Sequence, residues 1–153
     1  DAPVDGGGLS TPTHPDVVRF EVSVAGTAAA ARAAFVDGAD AWWPPAGTMK
    51  LDPTSGGSLT LAGDPPRALA EVAAADPGGA ITLAWRALPD GTPVGSGAGT
   101  TTIRFEPVED DLATVVVEHH DLTGPDGDAI RRWASGDDGW WAILRAFAAH
   151  VRG

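Results

Sequence analysis

The last stretch of this chain constrains its fold more than any other. From Trp140 to Val151 the apolar residues Trp140, Ile143, Leu144, Phe147, Ala148 and Val151 fall at i, i+3, i+4, i+7, i+8 and i+11, one stripe of a helix with a 3.6-residue period. Such a stripe has to be buried against another element. Most of the chain ahead of it reads as strand, so the expected class is α+β, an antiparallel sheet curved around a long C-terminal helix. The same stripe separates two neighbours. Trp140 should face inward, while Trp141 should lie at the border, against the sheet edge or the segment around Trp133.

The strands follow from alternation. Val18, Phe20, Val22 and Val24 share one face of a first strand over 17–25, with Arg19, Glu21 and Ser23 on the other. An alanine-rich helix follows over 28–36, with Thr27 placed to cap it and Gly38 to end it. A further turn over 39–43 should stop at Pro44-Pro45. Strands are expected over 48–51, 58–62, 67–75, 80–88, 98–107 and 112–121. Asp76-Pro77-Gly78-Gly79 marks a hairpin, and Gly95 to Gly99 reads as a flexible or bulged strand start. Ile81, Leu83 and Trp85, then Ile103 and Phe105, then Val115, Val117 and His119 take the inward parity. Val116, Glu118 and His120 point outward, Val116 as a minor exposed patch. Over 124–136 a polar turn, Pro125 to Asp128, should precede a short helix over 129–134, with Ser135 and Asp138, or Asp137, capping the last helix. Residues 1–16 read as a flexible arm and 17–153 as a single domain.

Composition removes several function classes. A chain of 153 residues with no cysteine has no disulfide, thiolate or cysteine–zinc chemistry. The net charge of −11, with no cluster among its basic residues, argues against nucleic acid or an anionic membrane as partner. A cytoplasmic location, a monomer or weak dimer, and no cofactor are expected. His119 and His120 point to opposite faces of a strand and cannot share a metal. His119 is the better candidate for a polar group facing a ligand or acting as acid or base, against the alternative of a satisfied core histidine. The acidic pairs Asp110-Asp111 and Asp126/Asp128 read as solvated turns. The Gly95-Ser96-Gly97-Ala98-Gly99 run precedes a strand, so it offers no helix amides to a phosphate.

Five pieces in order carry a resemblance: Trp42-Trp43-Pro44, Gly56-Gly57, Glu71-Val72 running through Asp76-Pro77 to Leu83-Ala84-Trp85, Thr114 to Leu122, and Gly139-Trp140. Over residues 17–151 the chain resembles the activator of heat-shock-protein-90 ATPase homologue (AHSA-like) family of the SRPBCC superfamily, the START or Bet v-like helix-grip fold. It departs from that family at Asp121, where glycine is usual, and at Ser135-Gly136-Asp137-Asp138. The resemblance implies six or seven antiparallel strands around the C-terminal helix and an internal cavity for a small apolar or amphipathic molecule. The inward residues Trp43, Met49, Leu83, Trp85, Ile103, Phe105, Val115, Val117, His119, Trp140 and Leu144 would line it. Ligand binding is the leading expectation. A cyclase- or aromatase-like enzyme in the same cavity and a chaperone-activator-like interaction module are the alternatives.

Overall fold

A computed structural model describes residues 18–43, 49–52, 54, 56–63, 66–75, 79–89, 91–137 and 139–152. Alternation does what was expected of it in β1 (Val18–Ala25), burying Phe20 and Val24 and exposing Arg19 and Glu21. Thr27 then starts α1 (Ala28–Asp37), its hydroxyl accepting from the Ala30 amide at 3.1 Å. The one-turn α2 (Ala39–Trp42) follows at once. The chain then meanders through β2 (Met49–Leu51), β3 (Ser58–Leu61), β4 (Arg67–Ala75), β5 (Ile81–Trp85), β6 (Thr100–Glu109) and β7 (Leu112–His120), before α3 (Gly124–Ser135) and α4 (Trp140–Arg152).

All neighbouring strands are antiparallel, in the order β1-β7-β6-β5-β4-β3-β2, so the sheet has seven strands. Register breaks at Leu59/Thr60, Val72/Ala74 and Pro107/Glu109 supply the bends that curl a sheet. The concave side holds the core, into which α4 sets Trp140, Ile143, Leu144 and Phe147.

Three expectations change. The segment from Pro125 is helix throughout rather than a polar turn and a short helix. Proline in the first turn presets the helical φ, Asp126 suits the positive helix end, and Gly127, Ile130 and Ala134 form a buried stripe that the glycine concealed. The glycine run condenses into a 3-10 turn, Ser96–Ala98, tied to α3 by the Asp126 carboxylate, which accepts from the Gly95 amide at 2.9 Å. Asp126 is therefore no free solvated residue. Val116 is fully buried despite its outward parity. It sits in register between Glu21 and Arg104, beside ion pairs linking Arg19 and Arg104 to Glu118, long side chains of the kind whose apolar stems shield an outward valine. His120 lies outward as expected, 3.6 Å from Glu118.

The expected arm over 1–16, the Asp76-Pro77-Gly78 turn, Pro44-Pro45 and the Asp138 cap lie outside the described residues. No helix among those residues is long and apolar enough to cross a membrane. No group of three or more His, Asp or Glu among them is placed to hold a metal ion.

Asp121, one of the two departures from the family pattern, has φ 61°, the left-handed region that glycine adopts without strain. Changing Asp121→Gly should raise unfolding free energy by up to about 1 kcal/mol, the relief being partly offset by a freer unfolded chain, whereas Asp121→Val should lower it by about 1–2 kcal/mol. Urea denaturation of the two variants checks the ordering.

Candidate ligand-binding site

The placement of α4 depends on a close approach. A Cβ on Gly139 would lie 2.2 Å from the Trp133 carbonyl oxygen and 2.3 Å from that of Ala134, so only glycine lets the chain turn this tightly out of α3. The turn delivers Trp140 to the centre of the core, fully buried, and leaves Trp141 46% exposed. Trp141 rests edge-on against Phe20 of the edge strand β1, with ring centres 5.2 Å apart. The expected division between the two tryptophans holds.

The other five tryptophans form one continuous aromatic row. Trp42 stacks on Trp43 at 5.5 Å, Trp43 meets Trp140 at 5.5 Å, Trp140 meets Trp133 at 5.8 Å, and Trp133 meets Trp85 at 5.3 Å. At the α2 end Phe35 and Phe147 each approach Trp42 to 4.8 Å. Of the expected lining, Trp43, Met49, Leu83, Trp85, Ile103, Val115, Val117, His119, Trp140 and Leu144 are buried in this one core, and Phe105 is half-buried against Phe35 at 5.5 Å. The structure thus brings the whole set to one region. Trp42, Trp133 and Thr101 belong to the same interior and were not in the expected set.

At the Trp85 end three strands and the helix share a polar thread. The Trp85 indole donates to Thr101 Oγ1 at 2.6 Å, Thr101 Oγ1 lies 2.7 Å from His119 Nδ1, and the Trp140 indole donates to His119 Nε2 at 2.7 Å. An indole N–H can only donate, so Nε2 must carry a lone pair and Nδ1 the proton. His119 therefore donates to Thr101, which accepts twice. Burial, and secondarily the nearby His120, pushes the His119 pKa down from 6.5 to about 3. Of the two readings of His119, a satisfied core histidine and a polar group facing a ligand, the structure has the first, both ring nitrogens being engaged. The imidazole is neutral at physiological pH and fastens α4 to the sheet. Thr101 could have been found from sequence, since it shares the parity of Ile103 and Phe105 and pairs in register with His119.

At the other end of the row, the Trp42 indole N–H is the one buried side-chain polar group without a hydrogen-bond partner among the described residues. Trp42 is 5% exposed. A surface groove of about 210 Å³ opens at the same corner, lined by Val36, Asp37, Ala39, Asp40, Lys50 and Leu51. It is smaller than the ~300–1,000 Å³ usual for a small-molecule pocket, so it does not by itself answer to the expected cavity.

No family model matches the sequence, and no curated protein matches it. Solved structures do. An anthrahydroquino-γ-pyrone synthase, Txn09, superposes with a TM-score of 0.60 at 21% identity, over 91% of this chain and 99% of that one. The chain has the helix-grip fold. The self-sacrificing resistance protein CalC from Micromonospora echinospora gives 0.53 at 20% identity, over 89% and 94% of the two chains. The Aha1 dimer from Colwellia psychrerythraea gives 0.59 at 12% identity, over 88% and 95%. At these identities the likeness concerns the fold.

Proposed function

We propose that this domain binds a small, flat, largely apolar aromatic molecule between the sheet and α4. The observation that carries the reading is the row of five tryptophans in a helix-grip interior. Each ring–ring contact is worth about 0.5–1.5 kcal/mol beyond the area it buries. A planar aromatic ligand is the chemistry that can separate a pair of these rings and return equivalent contacts to both, so the exchange costs little. An aliphatic chain cannot. The two fold neighbours named for a polycyclic synthase and for a resistance protein support a small-molecule role over a purely structural one. The Aha1 neighbour supports kinship with AHSA-like proteins at the level of architecture.

A cyclase-like reaction in the same interior is the second reading, favoured by the synthase neighbour. Among the described residues the buried histidine offers it no free acid–base group, since His119 holds both of its partners. A chaperone-activator role has no such support from the site.

Titrating the protein with planar tricyclic and tetracyclic aromatics while following tryptophan emission tests the proposal. Saturable change at micromolar ligand is expected, with matched-size alkanes giving none. Absence of a saturable response to every planar compound would overturn it.

A further inference from the structure

We infer that the Trp42 indole N–H is the polar anchor of this ligand, and that the molecule carries a hydrogen-bond acceptor oxygen, a ring carbonyl or phenolic oxygen, at the α2 end of the aromatic row. The inference rests on the aromatic-ligand reading above and adds the ligand's polarity and orientation. A buried N–H left unpaired carries the full cost of losing its bonds to water, and native interiors keep few such groups without a use. This one is placed where a use is available. Its ring packs on Phe35 and Phe147, both 4.8 Å away and 5.2 Å from each other, and stacks on Trp43, which in turn meets Trp140. A planar molecule seated on the same face of Trp43 as Trp42 would lie edge to edge with Trp42, the arrangement in which an indole N–H donates.

The opposite end of the row offers no fully buried equivalent, Trp133 there being only half-buried. There the indoles of Trp85 and Trp140 already donate to Thr101 and His119. Among the described residues the polar asymmetry runs one way: filled hydrogen bonds at the Trp85 end, an open donor at the Trp42 end. An indole donates and never accepts, so a hydroxyl acting as donor or an ammonium group would gain nothing from it. The single Trp42 N–H supplies one hydrogen bond and so suits one acceptor oxygen, whereas a buried carboxylate needs several donors.

The test uses a matched pair of planar tricycles, 9-fluorenone, with one ring carbonyl, and fluorene, which lacks it. Wild-type protein should bind fluorenone more tightly than fluorene. In Trp42→Phe, which keeps a ring in the stack and removes the donor, both affinities can fall with the smaller ring, but the preference for fluorenone over fluorene should fall about tenfold. In wild-type protein the Trp42 indole proton should shift downfield in the NMR spectrum with fluorenone and not with fluorene. Equal losses for both ligands, or fluorenone binding with no movement of that proton, would overturn the inference while leaving the aromatic-ligand reading intact. Binding of neither ligand would overturn the inference, and the aromatic-ligand reading falls with it when the other planar compounds also give no saturable response.

Discussion

Replacing Trp140 by alanine is expected to lower unfolding free energy by about 4 kcal/mol, in the range found when a fully buried large aromatic is truncated. Trp140 is fully buried and touches Trp43, Trp133 and His119, so its loss opens a hole where α4, α3 and the sheet meet. Some of the cost is polar. Trp140→Phe keeps most of the volume but removes the donor to His119 Nε2, and should cost about 1–2 kcal/mol for the buried acceptor left unpaired. The difference between the variants in urea denaturation separates packing from hydrogen bonding. Trp141→Ala, one residue along and 46% exposed, should cost distinctly less than Trp140→Ala. A loss of about 4 kcal/mol would consume a large share of the ~5–15 kcal/mol that typically holds a domain of this size together.

Acid should destabilise the fold through His119. Its pKa is about 3 in the folded protein against 6.5 as reference, so between these values the unfolded chain binds a proton that the native core refuses. The stabilisation is complete above pH 6.5 and is lost as pH falls toward 3, at about 1.4 kcal/mol per pH unit, about 5 kcal/mol in all. Glu118, held below the usual carboxylate range chiefly by its bond to Arg104 and also by Arg19, adds to the loss at the acid end. His119→Gln isolates the histidine, since its amide oxygen can accept from Trp140 and it does not titrate in this range. Between about pH 6.5 and 4.5 the wild-type stability should fall more steeply than that of the variant by close to one proton's worth.

The inward faces of β1, β5, β6 and β7 were legible because residues two apart along a strand share a side, and the α4 stripe was legible because it repeats at helical spacing. The same rule placed His119 inside. What the rule could not state was the use of that histidine, which depends on Trp140 arriving from a distant helix to fill Nε2. Thr101 was within reach of the alternation, but a threonine between apolar residues draws no notice until its partner is known. The N-terminal half of α3 was hidden by Gly124-Pro125-Asp126-Gly127-Asp128, a composition that serves a turn or a first helical turn equally. Val116 misled because an outward valine is exposed unless long charged neighbours cover it, and cross-strand neighbours are set by register. The open donor on Trp42 has no sequence signal at all, since every buried indole needs a partner and only the fold tells which one lacks it.

His119 belongs to the fold, with both ring nitrogens bonded inside it, and nitrogen NMR of the His119 ring across pH tests this most directly. The expected result is a neutral ring protonated on Nδ1, unchanged from about pH 7 down to about pH 4. A ring protonated on Nε2, or one that titrates near its reference value of 6.5, would contradict it and return His119 to the site as an available acid or base.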